Sequence, residues 1–168
     1  MRFMALAVMV GMSSTAIAGE DLPVGYSDIG KNLNPVIAKM KMQDRIGKGN
    51  CDTKPENKRD VCTYKIGSYA SILAAAQKGA IQADDVTVIC APPSPVDTMK
   101  CLSLYGALLQ AAAPEGAGGS NGKIIGNLVS GLTVGEYAQI RTEEVHITMQ
   151  KVVGTIWFTV TAADAPSK

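Results

Sequence analysis

Four cysteines fall in two matched pairs: Cys51 and Cys62 are eleven positions apart, and so are Cys90 and Cys101. In an oxidising compartment an even set like this is a disulfide framework, whereas in a reducing one it points to metal or redox chemistry. The N-terminus chooses between the two. Met1 to Ala18 carries one early positive charge at Arg2, an apolar run from Phe3 to Met12, and Ala16-Ile17-Ala18 as a small-x-small cleavage signal. That pattern is a secretory signal peptide, and its apolar run is much shorter than the ~20 residues needed to span a bilayer. Export to the periplasm or beyond, with cleavage near Ala18, is therefore expected. No cysteine follows the cleavage site, so a membrane anchor is not expected.

Four cysteines allow three connectivities. Closing the two local loops would stabilise by roughly 3 kcal/mol each in the chain-entropy model, and a bridge from Cys51 to Cys101 by roughly 4 kcal/mol. That difference does not decide the pairing. The ready oxidation of short loops and the equal separations favour the two local bridges.

The 168-residue chain less its first 18 leaves 150 residues from Gly19, enough for a single domain over 19–168 with a real core. Without Arg2 its charge is balanced, fifteen Lys and Arg against fifteen Asp and Glu. Nothing global steers it toward nucleic acid or acidic lipid. Only Lys39 to Asp60 is locally basic, as expected of a solvated loop.

Along the chain, Gly19 to Leu33 reads as an extended lead-in. Asn34 as cap and Pro35 at the first helical position predict a helix from Pro35 to about Ile46. Gly47 to Val61 is polar and predicts a surface loop tied down by its cysteines. From Cys62, the spacing of Ile66, Tyr69, Ala70, Leu73 and Ala76 predicts a helix stopped by Gly79, with Gly67 small enough to let a neighbour pack closely. Val86 to Ile89 is β-branched and reads as a strand or a buried connection. Ser94, Pro95 and Asp97 then start a helix that closes at Pro114. Pro114 to Gly122 is a flexible loop, Lys123 to Leu132 a short apolar helix, and Thr133 with Glu136 a capping box for a further turn. From about 140 to 161 the composition turns to Val, Ile and Thr and predicts two strands, expected as a C-terminal hairpin. The fold expected is mainly α: a small disulfide-stapled helical domain with its core over about 35–132.

Catalytic and ligand chemistry find little support. His146 lies in an alternating run beside Glu144 with no motif that supplies a nucleophile. Zinc would need the same cysteines, without Cys-x-x-Cys or a histidine pair. The Gly122-Lys123 end of the glycine-rich loop suggests a phosphate loop, but Ala117 replaces the first glycine and Ile124 the magnesium-binding hydroxyl. Asp84-Asp85 and Glu143-Glu144 are adjacent pairs that read as solvated charge. The expectation is no enzyme, no metal and no cofactor. A cluster of His146, a carboxylate and Ser130 would revive catalysis.

Cys62-Thr63-Tyr64-Lys65-Ile66-Gly67, then Cys90-Ala91-Pro92 and a helix ending at Pro114, resemble the small helical periplasmic immunity proteins that protect bacteria from type VI secretion effectors. Lys123 to Leu132 fits their last short helix, and Cys101-Leu102-Ser103-Leu104-Tyr105 is similar to a stretch of an amidase-immunity group. The resemblance implies a non-catalytic, dimeric inhibitor of a cell-wall-degrading effector such as an amidase, with Tyr64, Gly67 and Pro92 as structural residues. It implies partner contacts on the protruding loop, at Glu115, Ser120, Asn121 and Lys123. A periplasmic stress chaperone or envelope component is the alternative reading.

Overall fold

The computed structural model describes residues 21–92, 94–114 and 120–163. The expected signal peptide lies outside the described residues. The described elements run α1 (Ile29–Lys39), β1 (Asn50–Asp52), β2 (Arg59–Ile66), β3 (Ala70–Gln77), β4 (Asp85–Cys90), α2 (Pro95–Ala112), α3 (Asn121–Val134), β5 (Tyr137–Arg141), β6 (Val145–Val152) and β7 (Thr155–Ala162). The seven strands form one sheet in the order β1-β2-β3-β4-β7-β6-β5, antiparallel at every step. Two meanders are thus joined where β7 lies beside β4, with α2 and α3 in the connection between them.

This overturns the expectation of a mainly α fold. The sheet is the scaffold, and the helices cover one of its faces. Period-2 burial shows why: Cys62, Tyr64 and Ile66 on β2 are buried, as are Ile72, Ala74 and Ala76 on β3, while Thr63 and Lys65 between them are exposed. The alanine-rich run Ala74-Ala75-Ala76 favours helix intrinsically. Its pairing with β2, joined by β4 at Ala74 and Ala75, buries alternate side chains and overrides that preference. The helix expected from Cys62 is therefore a hairpin. Gly67, at φ +53, forms its turn rather than a helix-packing notch; a Cβ there would also meet the Tyr69 ring at 2.9 Å.

The first helix is displaced as well. α1 begins after Asp28, and Pro35 lies inside it. Asn34 does not cap: its side chain donates from Nδ2 to the Ile46 carbonyl at 3.0 Å and accepts from the Ile46 N–H at 2.9 Å. The buried stripe is Ile29, Leu33 and Ile37, spaced at four residues. The loop expected over Gly47 to Val61 contains β1 and the start of β2, and the turn expected after Thr133 gives way to β5.

Other expectations match closely. Ser94 caps α2, accepting from the Asp97 N–H at 3.2 Å with Pro95 in the first turn. α3 covers the predicted apolar helix, and β6 and β7 form the C-terminal hairpin, turning at Val153-Gly154. Both bridges are local: Cys51–Cys62 joins directly paired residues of β1 and β2, and Cys90–Cys101 ties the end of β4 to α2.

The core lies between the helices and the inner sheet face. Tyr105 of α2 stacks on Phe158 of β7 with ring centroids 4.6 Å apart, and Leu104, Leu108, Val88, Val160 and Ile147 are fully buried with them. Each such side chain contributes roughly 1.5–3 kcal/mol by leaving water.

Candidate functional site

The residues singled out from sequence are not gathered in one place. Tyr64 is buried on β2, and its hydroxyl donates to the Tyr26 carbonyl at 2.7 Å. Pro92 lies in the link from β4 to α2. Ser120 immediately precedes α3, Asn121 opens that helix and donates to the Gly106 carbonyl at 3.5 Å, and Lys123 is exposed in its first turn. Glu115 lies outside the described residues. Asn121 therefore tethers α3 to α2, which is packing work.

A broad open cleft of about 910 Å³ runs between the N-terminal half of α1 and residues 46–49, with Tyr64 in its wall. Gly49 is required there, because a Cβ would meet the Tyr64 ring at 2.4 Å. Lys31 and Lys48 border the cleft, and its Asn34 and Tyr64 are held by the hydrogen bonds already given. A second polar group ties three elements at the start of α2. Tyr69 donates to Asp44 at 3.2 Å, and Lys100 lies 3.6 Å from both Asp44 and Asp97 and 5.1 Å from the centre of the Tyr69 ring. Burial, reinforced by Asp44, pushes the Tyr69 phenol far above its ordinary value, so it remains a donor.

His146 and Ser130 are not brought together. His146 shares an outward-facing row of the sheet with Thr161 and Arg141 and lies 3.2 Å from Gln139 Oε1. Ser130 is on α3, whose Leu128 and Leu132 pack on the opposite face. Among the described residues no group of three or more His, Cys, Asp or Glu is arranged to hold a metal ion. No helix among them is long and apolar enough to cross a membrane.

The largest unassigned feature is the outward face of the sheet. Its side chains form three rows that follow from the register. One runs Val61, Ala75, Asp85, Thr161, His146 and Arg141; the next runs Thr63, Leu73, Thr87, Thr159, Thr148 and Gln139; the third runs Lys65, Ser71, Ile89, Trp157, Gln150 and Tyr137. Val61, Leu73, Ala75, Ile89 and Trp157 give the centre an apolar, half-buried character. Thr87 and Thr159 share a hydrogen bond at 2.9 Å, and Trp157 Nε1 donates to Thr155 at 2.9 Å, so these side chains are held in place. Lys65, Gln139, Arg141 and the 51% exposed Tyr137 form a polar rim. Sequence reasoning missed this face because it read β2 and β3 as a helix. The strict alternation of Thr155, Trp157, Thr159 and Thr161 with Ile156, Phe158, Val160 and Ala162 was the available signal.

No protein family, curated protein or solved structure matches the chain.

Proposed function

We propose that this is a non-catalytic binding protein of the periplasm that takes a protein partner on the open face of its sheet, with an exported cell-wall-degrading effector as the partner class. The observation that carries the reading is the one-sided helical cover. It leaves a broad, rigid surface with Leu73, Ile89 and Trp157 at its centre and polar side chains around them. That is the anatomy of a protein interface, an apolar centre inside a polar rim. Six strand spacings span about 29 Å and eight-residue strands about 24 Å. With shorter strands at both edges, the face offers on the order of 600 Å², close to the ~800 Å² that each partner gives to a standard interface.

The two disulfides support an oxidising location. The effector class rests separately, on the likeness of Cys62 to Gly67 and Cys90 to Pro92 to immunity proteins, although here Cys62 to Ile66 are strand rather than the head of a helix. The test is co-expression with secreted cell-wall hydrolases encoded beside the gene. Relief of their lysis by the wild type, lost in Ile89→Asp and Trp157→Asp proteins that still fold, is the expected result. Relief that survives both substitutions contradicts the assigned face. Absence of relief together with general suppression of client aggregation would make the protein a chaperone instead.

A further inference from the structure

The two edges of the sheet are built differently. β1 is three residues long, is stapled to β2 by Cys51–Cys62 and has Lys48 and Lys54 on either side, devices that keep an exposed edge from pairing with another chain. β5 lacks them. Tyr137-Ala138-Gln139-Ile140-Arg141 contains no proline, glycine or lysine, and it pairs with β6 at every residue without a bulge.

The register fixes which backbone groups of β5 are open. The Lys151 N–H donates to the Glu136 carbonyl and the Thr142 N–H to the Val145 carbonyl, both at 2.9 Å, so Glu136 and Thr142 turn their backbone groups toward β6. The direction alternates along a strand. Ala138 and Ile140 therefore also face β6, while Tyr137, Gln139 and Arg141 turn their N–H and carbonyl groups to the open side, where no strand lies among the described residues.

These three positions are complementary to themselves. When β5 pairs antiparallel with a second β5, only the two-fold centred on Gln139 matches each of them with another of the three: Tyr137 with Arg141 of the second copy, and Gln139 with its own counterpart. Each matched pair exchanges both backbone bonds. All three side chains are on the outward face, so Arg141 falls beside the 51% exposed Tyr137 ring of the copy, a favourable cation–π pairing with no like charges opposed. The row is already held in place, since the Tyr137 hydroxyl donates to Gln139 Oε1 at 3.0 Å and His146 lies 3.2 Å from the same oxygen. A two-fold normal to the sheet also puts both helical layers on one side, with α3 facing its own copy. The flank of α3 turned away from α2 carries exposed Asn127 and the 93% exposed Val134.

We propose that the protein forms a two-fold homodimer through β5, with the two sheets joined edge to edge about Gln139. The open faces then run on as one surface across both chains. A five-residue edge with one helix flank is a small contact of the size found in transient complexes, so the dimer forms at high rather than trace concentration. It is independent of the partner that the open face takes.

The unreduced protein is followed by sedimentation equilibrium and by NMR amide hydrogen exchange from roughly 10 μM to roughly 1 mM. The expected result is a monomer–dimer equilibrium in which the amides of Tyr137, Gln139 and Arg141 gain protection with the dimer fraction, while those of Ala138 and Ile140 are protected throughout. Gln139→Pro removes an N–H that β6 does not use and should weaken the dimer roughly thirtyfold, for one hydrogen bond lost from each chain. A second pair of variants serves if that one does not fold. Tyr137→Arg sets like charges opposite each other and should weaken the dimer roughly tenfold, and adding Arg141→Tyr to it should restore the affinity. A monomer at every concentration, a dimer that leaves the three amides unprotected, an undiminished dimer in folded Gln139→Pro, or no rescue in the double variant overturns the proposal. Protection of these amides only when a cell-wall hydrolase is added also overturns it, and gives the edge to that partner instead.

Discussion

Val153 is 99% exposed and has a φ of +35, a left-handed conformation that β-branched residues avoid. Together with Gly154, at φ +75, it forms the two-residue turn of the β6–β7 hairpin, where Asn-Gly is the favoured pair. Val153→Asn removes the strain and loses no packing, so it should stabilise the protein by about 1 kcal/mol, read from urea denaturation. Asp60 gives a second prediction at this scale. It accepts from Lys78 Nζ at 2.6 Å and from the Gly79 N–H at 3.2 Å, and Lys78 also donates to the Thr53 and Lys54 carbonyls. The Lys78 hydrogen bond holds the Asp60 carboxyl below its ordinary value of 3.8, against the opposing effect of burial. A carboxyl depressed in the folded state contributes stability that is present above its unfolded pKa and is lost as pH falls through the lower folded value. Asp60→Asn should therefore lower the melting temperature at neutral pH and flatten its fall below about pH 4. An equally steep acid limb in the variant would contradict this.

At the scale of elements, the inward and outward rows of β7 make adjacent residues unequal. Phe158→Ala removes a buried ring stacked on Tyr105 and should cost about 3–5 kcal/mol. Trp157→Ala, one residue away on the open face, should cost about 1 kcal/mol, the ordinary scale for a substitution outside the core. Similar costs at both positions would contradict the register. Elements whose signals are local were legible in the sequence. Ser94, Pro95 and Asp97 specify the start of α2 through a cap that forms as written, and the alternation of Val145, Ile147 and Met149 specifies β6. The elements that were not legible depend on distant partners. In β2 and β3, the apolar residues from Ile66 to Ala76 also fit a helical spacing, and only pairing with β4 makes the strand the better solution. Asn34 looks like a cap until Ile46, twelve residues on, occupies both ends of its amide.

For the whole molecule, the same limitation hid the candidate site. An outward face drawn from β2, β3, β4, β7, β6 and β5 exists only once the two meanders join at β4 and β7. The cysteine pairs were visible from the start, and their role is sharper in the fold: one closes the β1 edge and the other fastens α2 to the sheet, so the helical layer stays on a single side. Trp157 is the chain's single tryptophan and lies near the centre of the uncovered face, so one spectroscopic label there reports on that surface alone. The decisive measurement is the fluorine NMR spectrum of the protein carrying 5-fluorotryptophan at position 157, recorded while a cell-wall hydrolase is added and its activity is followed. The account predicts that the resonance shifts and saturates in step with neutralisation. A hydrolase that is neutralised while the resonance stays unchanged would contradict it.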